Sequence, residues 1–250
     1  MKMHLILLGL ILSLPLLAVD RKPLTKEESA KVIEAAIRKA AKKPTGELTK
    51  ADLEKVTELD LRYKQLTSVT GLGKLTQLTF LDLRGNQLTN VKGLEKLTQL
   101  TRLNLYDNRL TELPKGLEKL THLEELYLAL NKLTDVKGLE KLTKLEKLYL
   151  TGNKLTELPK GLEKLTKLTQ LTHLYLANNQ LTDVKGLEKL TQLTVLVLES
   201  NQLTEIPKGL EKLDQLTFLS LFSNPDLTKA QIDELKKALP KCNIISNLKK

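Results

Sequence analysis

The sequence predicts a solenoid of the α/β class, in which short coils stack along one continuous hydrophobic core. Segments of 22 or 23 residues recur through most of the chain, and each contains leucines at alternate positions, as in a strand that buries one face. The segments before and after these copies do not repeat. Because a repeat array grows by adding coils to the same core, we expect the 250 residues to form one elongated domain.

One copy, residues 100–122, contains the whole repeated pattern. The pattern reads L-x-x-L-x-L-x-x-N-x-L, and its residues here are Leu100, Leu103, Leu105, Asn108 and Leu110. It resembles the leucine-rich-repeat family. The resemblance implies a curved horseshoe with parallel strands on the concave side and an irregular or short-helical convex side. It also implies that the concave face binds other proteins.

The paired strand leucines predict about eight strands. The pairs are Leu59 and Leu61, Leu81 and Leu83, Leu103 and Leu105, Leu126 and Leu128, Leu148 and Leu150, Leu174 and Leu176, Leu196 and Leu198, and Leu219 and Leu221. The step of 26 residues from Leu148 to Leu174 contains one additional L-T-x triplet near Leu168. We expect this insertion to bulge from the convex side and to leave the strands aligned.

Both ends of the chain differ from the repeats. The first residues contain one Lys and an apolar run interrupted by Pro15, which predicts a secretory signal peptide cleaved near Ala18. An uncleaved N-terminal anchor is the alternative. We expect residues 1–18 to form the signal peptide, 19–56 a helical N-terminal cap, 57–227 the repeats, and 228–250 a helical C-terminal cap and tail.

Helix-start signals support the two caps. Capping boxes are predicted at Thr25 and Glu28 and at Thr228 and Gln231, and Thr49 with Asp52 is expected to start a second short helix. A helical cap covers the leucines that an end coil would otherwise expose to water. The helical N-terminal segment, followed by a coil that opens with VTELDL, resembles the cap of internalin-type bacterial surface proteins.

An asparagine follows the turn after nearly every strand. These residues are Asn86, Asn108, Asn131, Asn153, Asn179, Asn201 and Asn224. A side-chain amide at this point can satisfy main-chain groups that the turn leaves unpaired. We therefore assign the asparagines a structural role.

The residues between the strand leucines point outward onto the concave side. All eight aromatic residues are assigned to this outward face: Tyr63, Phe80, Tyr106, Tyr127, Tyr149, Tyr175, Phe218 and Phe222. Tyr127, Tyr149 and Tyr175 share one column, so we expect them to stack about 4.8 Å apart. Exposed aromatic side chains are typical of binding surfaces. The alternative is that the stack stabilises only its own sheet.

A charged region lies beside these tyrosines. Asp60, Asp82 and Asn104 occupy one outward column, and Arg62, Arg84 and Tyr106 occupy the next. Two carboxylates about 5 Å apart also occur in retaining glycosidases. We prefer a lattice of ion pairs, because the arginines explain both aspartates without a raised pKa.

Catalytic chemistry is not predicted. His122 is assigned to the convex side, His173 to a concave strand, and Cys242 to a buried position beyond the last coil, so no Cys–His dyad can form. The sequence has no phosphate-binding glycine loop, no G-x-S-x-G turn and no metal-ligand spacing. We therefore predict a protein that is not an enzyme and needs no metal or cofactor.

The net charge of +10 does not predict a nucleic-acid ligand. Most lysines recur in KGLEKL segments on the convex side, interleaved with Glu, whereas the concave face carries both signs of charge. Specific nucleic-acid binding would need a basic groove with aromatic residues between the charges. We expect at most weak adhesion of the convex side to anionic polymers of the cell envelope.

Together these observations predict an exported monomer, secreted or in the cell envelope, that binds a protein partner on its concave face and has no membrane span after signal cleavage. The candidate ligand-binding residues are Tyr106, Tyr127, Tyr149, Tyr175, His173, Asp60, Arg62, Asp82, Arg84 and Arg102. Two alternatives stay open. The tyrosines could bind a carbohydrate or cell-wall polymer, since sugars also stack on tyrosine, or the chain could be a structural spacer.

Overall fold

A computed structural model of the chain describes residues 22–158 and 170–247. Nine parallel strands form one sheet, and their order in the sheet follows the sequence. They are β1 (Glu58–Asp60), β2 (Phe80–Asp82), β3 (Arg102–Asn104), β4 (Glu125–Tyr127), β5 (Lys147–Tyr149), β6 (His173–Tyr175), β7 (Val195–Val197), β8 (Phe218–Ser220) and β9 (Asn243–Ile245). The predicted parallel solenoid is confirmed. The predicted signal peptide at residues 1–18 and the triplet near Leu168 lie outside the described residues.

The predicted strand leucines form the core. In β4, Leu126 and the following Leu128 have no solvent-exposed surface. The main chain joins each coil to the next, as where the Leu128 N–H donates to the Tyr149 carbonyl at 2.8 Å. Because a buried leucine contributes about 2 kcal/mol, the stacked leucines supply most of the stability of the solenoid.

The convex side consists of short 3₁₀-helices, as the resemblance implied. Each begins after a glycine with a positive φ, which an L-residue rarely adopts. Within residues 22–158 and 170–247 these helices are Leu72–Lys74, Leu94–Lys96, Leu117–Lys119, Leu139–Lys141, Leu187–Lys189 and Leu210–Lys212.

The recurring asparagines are structural, as predicted. The Asn108 side chain donates to the Leu83 carbonyl of the preceding coil at 3.0 Å and to the Leu105 carbonyl of its own coil at 3.2 Å, and its oxygen accepts from the Leu88 N–H at 3.1 Å. All seven asparagines are buried. The same three contacts recur at Asn86, Asn131, Asn153, Asn179, Asn201 and Asn224.

Two helices precede the first strand. They are α1 (Lys26–Ala40), which begins with the predicted capping box, and α2 (Lys50–Glu54), which begins where predicted and there also forms a capping box between Thr49 and Asp52. α1 packs against β1 and buries Ile33 and Ile37, so it covers the end of the core. Among the helices in the described part of the chain, none is both long and apolar enough to cross a membrane.

The C-terminal end contains a strand that the repeat count did not include. Helix α3 (Lys229–Ala238) begins with the predicted capping box at Thr228 and Gln231. The chain then returns as β9, where the Ile245 carbonyl accepts the Leu221 N–H at 2.8 Å. β9 pairs with the open edge of β8 and buries Ile244, so the cap is a helix and a strand, where a helix alone was predicted.

Candidate functional site on the concave face

The register of the strands aligns the outward residues in columns. Each strand contributes its first and third residues to the concave face, and the residue two positions later continues the face. The third residues run from Asp60 and Asp82 through Asn104 to Tyr127, Tyr149 and Tyr175, and then to Val197, Ser220 and Ile245. The face is therefore charged at its N-terminal coils and aromatic in the middle, and at its C-terminal coils apolar side chains lie beside Glu199, Ser220 and Asn243.

The tyrosine ladder, Tyr127, Tyr149 and Tyr175, occupies the middle of the face. The ring centroids of Tyr127 and Tyr149 lie 4.4 Å apart, and those of Tyr149 and Tyr175 lie 4.6 Å apart, with interplanar angles of 7° and 8°. The predicted stacking is confirmed. The rings cover one another's faces, so Tyr149 presents its edge and hydroxyl to a ligand and keeps neither face free.

The hydroxyl groups of the ladder differ in their contacts. The Tyr127 hydroxyl donates to Glu125 at 2.6 Å, and burial together with this hydrogen bond raises the pKa of Tyr127. Burial also raises the pKa values of Tyr149 and Tyr175, and a hydrogen bond with Tyr127 partly offsets this effect at Tyr149. All three tyrosines are neutral at physiological pH.

A row of ion pairs runs beside the ladder along the first residues of the strands. Arg102 lies over the Phe80 ring at 5.0 Å and pairs with Glu125 at 3.2 Å, and Glu125 also accepts from Lys147 at 2.9 Å. Hydrogen bonds from Tyr127 and Lys147 lower the pKa of Glu125 despite its burial. Glu125 is thus an ionised carboxylate shared between two cations.

His173 and Tyr106 flank the ladder differently. The His173 ring lies 6.5 Å from the Tyr175 ring, and burial lowers the pKa of His173, so the imidazole is neutral at pH 7. Tyr106 lies in the next column opposite Ala129 and outside the stack, with its N–H donating to Asn104 at 3.0 Å. His173 therefore extends the ladder, whereas Tyr106 borders the charged coils.

The aspartates of the first two coils have opposite pKa shifts. Arg62 donates two hydrogen bonds to Asp60, at 2.8 and 2.6 Å, and this holds the pKa of Asp60 below its usual value. Asp82 is buried, and burial raises its pKa although Arg84 and Arg62 lie 3.4 and 3.8 Å away. The predicted ion pairs are therefore present, and the pKa of Asp82 is raised in spite of them because its neighbours exclude water from it.

The predicted site omits the apolar end of the face. Val195 and Val197 lie on β7, next to His173 and Tyr175, and β8 follows with Phe218. Phe222 and Ile245 are 47% and 37% exposed. The outward positions of both phenylalanines were evident in the sequence, but β9 and hence the position of Ile245 were not.

The residues set aside as non-catalytic lie apart from one another. His122 is on the convex side, where its ring nitrogen lies 3.1 Å from the Thr98 carbonyl oxygen. Cys242 precedes β9, three strands from His173, and is half-buried against the core. No group of three or more His, Cys, Asp or Glu residues within 22–158 and 170–247 could hold a metal ion.

The Cys242 thiol should be poorly reactive in the folded protein. Burial raises the pKa of Cys242 to about 11, and only the thiolate is alkylated. At pH 8 we expect iodoacetamide to modify native Cys242 at least about tenfold more slowly than the same residue in the urea-unfolded chain, with N-acetylcysteine as the control for the effect of urea. Cys242 is only partly buried, where a buried position was predicted, and equal rates would show that this partial burial does not protect the thiol.

Two sequence models of leucine-rich repeats match the chain. One, described as "Leucine rich repeat", matches residues 98–155. The other, described as "Leucine Rich repeats (2 copies)", matches residues 54–96, 143–189 and 169–208. Together they span more than half of the chain. No curated protein sequence matches it significantly.

Similar solved structures come from bacteria and a plant. Internalin C2 of Listeria monocytogenes is 27% identical, with a TM-score of 0.73, over 86% of this chain and 92% of that one. A leucine-rich-repeat protein of Leptospira interrogans is 34% identical, with a TM-score of 0.63, over 77% of this chain.

The chain spans about half the length of the Leptospira interrogans protein, 55% of its residues. The ectodomain of the Arabidopsis thaliana receptor kinase GASSHO1/SCHENGEN3 is 32% identical, with a TM-score of 0.55, over 62% of this chain and 20% of that one. The chain therefore belongs to the leucine-rich-repeat family, and it is internalin-like, as its repeat pattern and its N-terminal segment predicted.

Proposed function

We propose that the chain is an exported, monomeric binding module whose concave face holds a protein partner, with the tyrosine ladder at the centre of the contact. Leucine-rich-repeat domains are in general protein-interaction modules, and the fold supports that role for this chain. The observation that carries the finer proposal is the continuity of the ladder with the apolar side chains of β7 to β9. Rigid aromatic anchors beside an apolar surface are typical of protein interfaces.

The ring geometry favours a protein over a carbohydrate. A sugar stacks on an aromatic face, and the faces inside the ladder are covered at 4.4 and 4.6 Å by the neighbouring rings. Val195, Val197 and Phe218, which lie beyond Tyr175, offer no hydrogen-bond partner to the hydroxyl groups of a sugar. A partner with its own apolar side chains fits both regions.

Export is supported by the apolar run at residues 1–18 and by a precedent among the similar structures. The Arabidopsis protein is a receptor ectodomain, solved in complex with CASPARIAN STRIP INTEGRITY FACTOR 2. Fractionation of the producing cell, with sequencing of the mature N-terminus, tests this part of the proposal. A full-length chain recovered in the cytoplasm would contradict it.

The binding proposal is tested by comparing the wild-type chain with a variant in which the three ladder tyrosines are replaced by alanine. Both are used in a pulldown from extracellular and cell-surface proteins and on a glycan array. Because truncating a central aromatic anchor costs about 2 kcal/mol or more, the triple variant should lose at least about 100-fold in affinity for the captured protein. The matched control is Tyr63→Ala, since Tyr63 is 59% exposed and lies at a turn outside the ladder.

Each other outcome identifies a competing function. Capture that is unchanged in the triple variant would place binding elsewhere on the molecule. A glycan signal that depends on the ladder, without a protein partner, would favour carbohydrate binding. A wild-type chain that captures neither ligand would favour the structural spacer. Circular dichroism of every variant separates loss of binding from loss of fold.

A further inference from the structure

A depression of about 340 Å³ lies on the N-terminal half of the concave face. It borders the tyrosine ladder, because Tyr127 forms part of its wall. We call it the arginine depression, and its lining residues are Asp60, Arg62, Phe80, Asp82, Arg84, Arg102, Asn104 and Tyr127. It is open to solvent and to any molecule that covers the ladder.

One of the arginines in the depression is paired with a neighbouring carboxylate. Arg62 donates to both carboxylate oxygens of Asp60, at 2.8 and 2.6 Å, and so closes a two-pronged pair. The charges of Arg62 and Asp60 therefore neutralise each other. The pair forms one wall of the depression.

The other two arginines keep unused donors. The Nε atom of Arg84 is buried and has no hydrogen-bond partner, although the Asp82 carboxylate lies 3.4 Å away. Arg102 is held over Phe80 and beside Glu125 through its Nε, and its terminal nitrogens form no hydrogen bond in the part of the chain that the structure describes. The terminal nitrogens of Arg84 likewise form no hydrogen bond among the described residues, so the terminal N–H groups of both arginines can donate to a ligand.

The charges in the depression do not balance. Three guanidinium groups face two carboxylates, which leaves one positive charge in excess. Glu125 pairs with Arg102 from outside the depression, but it is itself paired with Lys147. A ligand with a single negative charge would therefore neutralise the site. A dianion such as phosphate would leave a negative charge in excess beside the two carboxylates, and a cation would be repelled by the excess arginine.

We propose that the arginine depression binds one acidic side chain, an Asp or Glu carboxylate, of the protein that covers the tyrosine ladder. The planar donors of Arg84 and Arg102 match the two oxygens of a carboxylate. Tyr127 connects the depression to the ladder, so one partner surface can reach both. This inference rests on the proposed function for the identity of the partner, but the chemistry of the depression can be tested without it.

The test is an NMR titration of the arginine Nε–H signals of the full chain with N-acetylglutamate N-methylamide, which carries only the side-chain carboxylate. We expect saturable shifts of the Arg84 and Arg102 signals at millimolar concentrations. N-acetylglutamine N-methylamide, the neutral isostere, should give none. Arg84→Gln and Arg102→Gln should each weaken binding at least tenfold, and Arg109→Gln, an exposed arginine outside the depression, should not change it.

Other results would overturn the assignment. An equal response to the neutral isostere, or unchanged binding by both variants, would show that the depression does not recognise a carboxylate. Tighter binding of N-acetylglutamine, whose only carboxylate is at the chain end, would assign the site to a peptide terminus and not to an acidic side chain.

The two proposals can fail independently. Tyr149→Ala with Tyr175→Ala removes two ladder rings that do not line the depression, so this variant should keep the NMR response while losing the partner. If the partner is retained, the proposed function fails and the carboxylate site stands. If Arg84→Gln abolishes the NMR response but the partner binds with unchanged affinity, the depression does not receive the partner's side chain.

Discussion

Replacing Asn131 with Ala should lower the free energy of unfolding by about 3 kcal/mol. The Asn131 side chain donates to the buried carbonyls of Leu105 and Leu128 at 2.9 and 3.1 Å, and its oxygen accepts from the Leu110 N–H at 3.0 Å. Alanine leaves these main-chain groups shielded from water and without a hydrogen-bond partner, and each such group lowers the stability by about 1–3 kcal/mol. Urea unfolding followed by circular dichroism measures the change.

Two further variants make this prediction specific. Asn90 is exposed and accepts only from the nearby Lys92 N–H at 3.3 Å, so Asn90→Ala should change stability by no more than about 0.5 kcal/mol. Asn131→Asp keeps the acceptor but loses the donors, and should destabilise at least as much as alanine at pH 7. A loss for Asn131→Ala as small as that for Asn90→Ala would show that water replaces the amide.

Replacing Gly116 with Ala should cost about 3 kcal/mol, which is more than the same change at Gly138. Both glycines precede a 3₁₀-helix with a positive φ, +87° at Gly116 and +101° at Gly138, so both substitutions strain the backbone. At Gly116 the new Cβ would also lie 2.4 Å from the Cβ of Glu95 on the preceding coil. The Glu95 carboxylate is held in place, since it accepts the Gly93 N–H at 2.7 Å.

Gly138→Ala is the matched control because its Cβ would have no neighbour within 4 Å. It should cost about 1–2 kcal/mol from backbone strain alone. The difference between the two urea midpoints, at equal slopes, measures the contact between adjacent coils. Equal losses would mean that Glu95 moves aside and that the coils are not tightly interlocked on the convex side.

The leucine and asparagine positions were predictable because they repeat. A leucine that faces the core in one coil faces it in every coil, so Leu126 and Leu128 could be assigned from the pattern alone. The main-chain register follows from the same repetition, and it aligns Tyr127, Tyr149 and Tyr175 in one column. The candidate site could therefore be located on the concave face without coordinates, and its role in binding remains a proposal.

The parts of the fold that were missed do not repeat. β9 occurs once, after α3, where it pairs with β8 and covers the end of the core. No leucine pair marks β9, so the pattern that locates the other strands gives no signal for it. The exposed Ile245 at the end of the apolar coils was missed for the same reason.

The repeating sequence is sufficient to specify the solenoid, its register and the columns of the concave face, because those features depend on the spacing of inward and outward residues. Three-dimensional packing determines what each column can do. The tyrosine rings turn their faces toward one another, Asp82 is shielded from water while Asp60 is paired with Arg62, and the Arg84 Nε is buried without a partner. These properties depend on rotamers and on neighbours from other coils, which the spacing of residues along the chain does not encode.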